Sequence, residues 1–285
     1  MNKIPTLNQD GYSVRGCNII YAPKGQAGEY SRLAANPYDG CGHKCRYCYV
    51  PAVRHITRAE FDAGAEERAS YLQRLVKDAR KYQELGIREQ VLLCFTTDPY
   101  HPFETSLTRS TIEVLIEHGL DFCTLTKGGG RALRDLDLFR PERDAFASSL
   151  TLLDDAASRK WEPDAALPAD RIATLKRFSE AGIYTWVSLE PVIVPEVTLE
   201  IIRLTHPFVK LFKVGRMNYN PLTKSINWKE FTDRARDVLA PTSSDYYFKE
   251  DLQPHLPVGY RNDKYRPQRR ELPVINAQMM RGDGH

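Results

Sequence analysis

Six short apolar runs alternate with longer stretches of helical spacing, and this alternation limits the chain to a narrow set of folds. The runs are residues 32–36, 90–95, 121–126, 145–150, 184–189 and 209–214, each of strand length and rich in aliphatic, β-branched or aromatic side chains. Residues 66–84, 106–118, 169–180, 196–204 and 228–239 read as helices. In the first of these, Tyr71, Leu72, Leu75, Val76, Ala79 and Tyr82 fall on one face. The next two stop at Gly119 and Gly182, as helices often stop at glycine. Strands that alternate with helices pair in parallel through crossover connections, which places the chain in the α/β class. Beyond about residue 240 the pattern changes. Residues 245–250 (DYYFKE) and 260–267 (YRNDKYRP) mix aromatics, prolines and charges. Residues 1–240 are expected to form the core with its N-terminal segment, and 241–285 an extension that packs on the core or trails from it.

With 285 residues the chain can bury one large core or two small ones. No segment approaches the length of a membrane-spanning helix, so no membrane partner is expected. The first residues lack the apolar run of a signal peptide, and a cytoplasmic location is the expectation. A net charge of +3 is a weak basic bias. Local basic groups at Arg46, Arg54 and Arg58, and at Arg266, Arg269 and Arg270, permit nucleic-acid contact without requiring it.

Three of the six cysteines, Cys41, Cys45 and Cys48, stand in a single loop, NPYDGCGHKCRYCYVP over residues 36–51. Clustering of this kind favours metal ligation over a disulfide framework. Thiolates are the standard ligands of iron–sulfur clusters. A cubane has four irons, so three local thiolates leave one iron open to a non-protein ligand, and an open metal position marks a reactive site. Gly40 and Gly42 let the backbone wrap tightly. His43 could complete a zinc set, but its spacing is too tight for a zinc finger and no second half-motif follows.

The C-x3-C-x-aromatic-C spacing, with Tyr47 as the aromatic, resembles the radical S-adenosylmethionine (radical SAM) superfamily. Further segments resemble its branch of spore photoproduct lyases and DNA repair photolyase-like proteins. These are NPY at 36–38, TDPYHPFE at 97–104, Thr126-Lys127 with RDLDL at 134–138, SLT at 149–151 and WEP at 161–163. The resemblance implies a partial (β/α)6 TIM-like barrel of the radical SAM type, which the six runs fit. In such barrels the chemistry sits at the C-terminal ends of the strands, where every one of these segments falls.

The resemblance also implies two cofactors, a [4Fe-4S] cluster on Cys41, Cys45 and Cys48, and S-adenosylmethionine. Reductive cleavage of the latter would give a 5′-deoxyadenosyl radical, with the electron supplied by an external flavodoxin- or ferredoxin-like donor. By the same resemblance Tyr47 and Tyr49 adjoin the cofactor. Thr97-Asp98 matches a Ser/Thr-Asp pair that meets its amino group, the lesser alternative being that Asp98 caps the turn before Pro99. Lys127 matches a lysine that pairs with the cofactor carboxylate, and Ser149 a further contact. Glu190, Arg216 and Asn218 end the fifth and sixth runs and are expected to face the same mouth, Glu190 as a candidate catalytic or substrate-contacting group. Phe95 stands where the lyases have a hydrogen-donating cysteine. Cys94, one residue earlier, falls on the opposite face of a strand, toward the helices, as a packing residue. The branch implies a nucleic-acid base or nucleotide as substrate. A peptide or small molecule, and a metal-stabilised nucleic-acid-binding module without catalysis, stay open as alternatives.

Overall fold

The protein is described by a computed structural model covering residues 5–217 and 220–262. The first strands are β1 (Leu33–Ala34), β2 (Tyr38–Gly40), β3 (Ala65–Glu67), β4 (Gln90–Leu93) and β5 (Asp121–Thr126). They are followed by β6 (Ala145–Ser149), β7 (Tyr184–Leu189), β8 (Leu211–Val214) and β9 (Asp245–Phe248). Two short helices, α1 (Val50–Arg54) and α2 (Arg58–Asp62), follow the cysteine loop. The crossover helices are α3 (Tyr71–Glu84), α4 (Ser106–Glu117), α6 (Pro168–Glu180) and α7 (Pro195–Thr205), with α5 (Asp155–Trp161) before α6 and α8 (Trp228–Leu239) before β9.

Among the described residues the main sheet has seven strands in the order β1-β4-β5-β6-β7-β8-β9, all neighbours parallel. The expected six are present. The seventh, β9, lies inside the segment expected to be an extension and pairs with β8 along its whole length. The sheet therefore runs past residue 240. Residues 263–267 of the aromatic–basic stretch, and with them Arg266, Arg269 and Arg270, lie outside the described residues.

The strands are buried on both faces, as parallel sheets require. Leu33, Val91, Leu93, Phe122, Phe146, Val187, Leu189, Phe212 and Val214 meet the helices in one large core. There Phe146 and Phe178 stack at 3.8 Å, with Phe139 edge-on to both. The other face carries small residues, Ala34, Cys123, Ala145 and Ala147, packed around Trp186. The sheet curls around this second core. Tyr30, just ahead of β1, hydrogen-bonds to Ser188 at the end of β7, four strands away in the sheet order. An open, curled, all-parallel sheet of this kind is a partial barrel.

The first helix differs from expectation. Residues 65–67 leave the helical pattern to pair antiparallel with residues 38–40, and α3 begins only at Tyr71. This two-stranded ribbon brackets the cysteine loop between β2 and β3.

Candidate active site

The cysteine loop is set by its backbone. Gly40 has φ +82°, and a Cβ there would lie 2.0 Å from the Gly64 carbonyl oxygen, so only glycine lets β2 turn into Cys41 against the ribbon. The Cys41 amide donates to the Phe61 carbonyl, the Cys48 amide to the Cys45 carbonyl, and the Arg46 amide to the Trp161 carbonyl. Arg58 closes the loop from the other side. Its guanidinium donates to the Cys45 carbonyl at 3.1 Å and to the Cys48 carbonyl at 2.9 Å. Arg58 is the first residue of α2, which is fixed by a capping box between Thr57 and Glu60.

The three cysteines border one mouth with Tyr47, Tyr49, Thr97, Asp98, Lys127, Ser149, Glu190 and Arg216. Every described residue expected at the site is brought there, from the ends of β4, β5, β6, β7 and β8. Asn218 lies outside the described residues. Burial pushes the three thiols up, Cys45 to about 12, so a metal that takes thiolates must displace their protons. Among the described residues no three His, Cys, Asp or Glu side chains converge on one metal ion. A cubane asks for something else, thiolates spaced apart on separate irons, and three cysteines spread around one mouth fit that demand.

Asp98 is occupied locally. Its Oδ1 accepts from the Tyr100 amide at 2.8 Å and from the Thr126 hydroxyl at 2.5 Å. Its Oδ2 accepts from the Lys127 amide at 2.8 Å and lies 3.1 Å from His43 Nε2. Burial acts to raise this carboxyl, but the His43 ring and these hydrogen bonds outweigh it and hold it well below the ordinary carboxylate range. The geometry matches the turn-capping alternative, and it also ties the cysteine loop, through His43, to the ends of β4 and β5. Thr97 adds a second tie, its hydroxyl donating to the Gly40 carbonyl at 2.7 Å.

A buried charged network lies beneath the loop. Glu162 and Arg171, each 1% exposed, meet at 2.5 Å. Glu162 also accepts from the Tyr47 hydroxyl and from Thr151 at 2.9 Å. Arg171 donates to the Ala166 carbonyl at 2.6 Å and to the Ser149 carbonyl at 3.1 Å. Lys127 places its ammonium 5.6 Å from the Tyr47 ring. Sequence reasoning missed this pair. The WEP segment contains Glu162, but nothing near Arg171 announces its role.

Across the mouth, at the ends of β7 and β9, Lys249 donates to both oxygens of Glu190, at 2.9 and 2.8 Å, and the Tyr30 hydroxyl donates to Oε2. Tyr30 and Lys249 were likewise not anticipated. Arg216 borders the mouth next to them, its guanidinium 5.1 Å from the Trp228 ring and its amide on Asp251. Phe95 faces the barrel interior, 6.0 Å from the Tyr30 ring. Cys94 packs in the helix-side core, as expected, and also borders the mouth. Asn36, from the NPY segment, receives the Phe95 and Thr96 amides on its side-chain oxygen at 2.8 and 2.9 Å.

Comparison with known proteins agrees with this fold. A spore photoproduct lyase variant superposes with a TM-score of 0.63 at 13% identity, covering 87% of this chain and 86% of that one. SuiB of Streptococcus suis, bound to S-adenosylmethionine, superposes with a TM-score of 0.59 at 13% identity, covering 81% and 53%. At such identities the likeness is one of fold. An uncharacterised protein of Mycobacterium tuberculosis is 29% identical over 177 residues, 59% of this chain and 51% of that protein. The chain thus spans about half the length of the mycobacterial relatives it matches. Residues 35–206, more than half of the chain, match the radical SAM superfamily. That match spans the cysteine loop and the strands from β2 to β7, and by it the chain belongs to the radical SAM superfamily.

Proposed function

We propose that the protein cleaves S-adenosylmethionine reductively at a [4Fe-4S] cluster held by Cys41, Cys45 and Cys48, and acts on a nucleic-acid base or nucleotide. The observation that carries the first part is a mouth of the family's fold walled by three loop cysteines and bordered by polar strand ends. When bound, the cluster and cofactor supply a 5′-deoxyadenosyl radical able to take hydrogen from an unreactive carbon. The chain's own residues do the rest. Arg58 and Glu162 hold the loop by its carbonyls and by Tyr47. Asp98 fixes the His43 ring and the Lys127 backbone. Lys127 supplies a cation beside the cysteines for a cofactor carboxylate, and Ser149 and Tyr49 complete the wall. The electron comes from an outside donor of the flavodoxin or ferredoxin type.

Likeness of fold to spore photoproduct lyase and the branch motifs support a nucleic-acid substrate. SuiB, which has been seen with a precursor peptide, has a similar fold and keeps a peptide as the second reading. Among the described residues no helix is long and apolar enough to cross a membrane.

The test is anaerobic purification, iron and sulfide counting, reduction, and addition of S-adenosylmethionine. Formation of 5′-deoxyadenosine is expected, and its loss in Cys41→Ala together with the iron. A zinc-loaded protein that yields no 5′-deoxyadenosine sinks the reading. Binding of DNA at two salt concentrations tests the substrate class, because phosphate contacts weaken steeply with salt.

A further inference from the structure

The mouth has two unlike halves. The cysteine loop, Asp98, Lys127, Ser149 and the Glu162–Arg171 pair lie at the ends of β4 to β6, where the cofactor is expected. The other half, at β7 to β9, is built around Glu190. Space for it is made by Gly215, where a Cβ would lie 2.8 Å from Lys249 Cδ and 2.9 Å from Glu190 Cδ. Lys249 is 2% exposed, and its ammonium also lies 3.9 Å from the Glu29 carboxylate. The Tyr30 hydroxyl is held in turn by Ser188 at 2.8 Å. Glu190 is therefore pinned from two sides while still bordering the mouth.

A carboxylate offers about four acceptor positions and no donor. Among the described residues, Glu190 Oε2 takes Tyr30 and Lys249, while Oε1 takes Lys249 alone. One acceptor position on Oε1 has no partner among the described residues, in a wall that also presents Ser188, Pro191, Arg216 and Met217, with Phe95 of the β4 end beside it. An apolar surface beside a carboxylate acceptor favours an N–H donor over a phosphate oxygen. It suits a flat ring that lies on apolar surface and donates one N–H from its edge. We infer that Glu190 is the specificity-determining contact of a substrate subsite for the N–H edge of a nucleobase. The inference rests on the nucleic-acid reading above and deepens it. The adenine of the cofactor carries the same chemistry. The division of the mouth assigns Glu190 to the substrate, and the experiment separates the two.

Reconstituted full-length protein, wild type and Glu190→Gln, would be titrated with unreduced S-adenosylmethionine and with single-stranded homopolymers of dA, dC, dG and dT. The homopolymer bound best would then be compared with its counterpart carrying N-methylated bases that cannot donate. N-methylation is expected to weaken wild-type binding about tenfold, the scale of one lost hydrogen bond to a charged acceptor. Glu190→Gln, whose amide oxygen accepts more weakly than a carboxylate, should lose most of this discrimination, with S-adenosylmethionine affinity within about twofold of wild type. The N-methyl comparison on wild type needs no substitution, so it decides the matter even where Glu190→Gln folds poorly. If a homopolymer binds and methylation makes no difference, the inference fails while the nucleic-acid reading stands. If Glu190→Gln weakens only S-adenosylmethionine, the subsite is the cofactor's and the inference is overturned. If no homopolymer binds wild type, the nucleic-acid reading fails and takes the inference with it.

Discussion

Glu162 and Arg171 form a 2.5 Å ion pair with both side chains 1% exposed, and the same carboxylate accepts the hydroxyl of Tyr47, which stands between two of the loop cysteines. Breaking one side of a buried pair strands a charge and costs about 3–5 kcal/mol. Glu162→Gln should lower stability by that order in urea denaturation and reduce the iron bound per chain. Tyr47→Phe removes one hydrogen bond and should cost about 1 kcal/mol. Full iron loading and unchanged stability in Glu162→Gln would show that the pair does not hold the loop.

Gly40 and Gly86 both adopt positive φ, but only at Gly40 would a Cβ meet backbone, 2.0 Å from an oxygen, whereas at Gly86 nothing lies within 4 Å. Gly86→Ala should cost about 1 kcal/mol, the left-handed penalty alone. Gly40→Ala should cost more than about 3 kcal/mol, because the β2–β3 ribbon must also part. Iron content should fall in the second variant only. Equal melting temperatures for the two would contradict this account.

Burial brings the Lys213 ammonium, held against the Tyr30 carbonyl at 2.8 Å and the Trp186 ring at 4.5 Å, down to about 7. The unfolded chain keeps that proton to the ordinary lysine value of about 10.4. Between these values the unfolded state binds more protons, so Lys213 makes stability rise with pH, by up to about 1.4 kcal/mol per unit. Buried thiols with raised values, such as Cys123, act in the opposite direction above about pH 8.5. Comparison with Lys213→Met cancels their share. Chemical denaturation across this window should show the wild type gaining on the variant as pH rises. A constant difference would mean that Lys213 keeps its charge when buried.

Cys94 belongs to the helix-side core although it also borders the mouth. Cys94→Ala should cost about 1 kcal/mol and leave the yield of 5′-deoxyadenosine nearly unchanged. Loss of product formation from the natural substrate, with the cluster intact, would instead make Cys94 a participant.

The periodicity of the apolar runs made the parallel sheet legible, because strand and helix patterns are local. β9 was not, since DYYF sits among prolines and charges and becomes a strand only by pairing with β8. The helix expected from residue 66 shows the same limit. Its first residues have an acceptable helical pattern, and pairing with residues 38–40 outweighs it. At the site, motif residues were legible by type and position, and they do reach one mouth. Their partners were not. Arg58 is 10 residues from Cys48, and Lys249 is 59 residues from Glu190.

The sequence by itself determined the α/β class, the three-cysteine loop and which polar residues stand at the strand ends. Each of these is written in short spacing that local sterics and ligand chemistry can read. Only the tertiary structure decided that Asp98 is bound up with His43 and Lys127, that Glu162 and Arg171 stand under the loop, and that Glu190 is held by Tyr30 and Lys249. Those arrangements join residues far apart in the chain. They form because a buried charge must find partners, and the curl of the sheet brings those partners within reach.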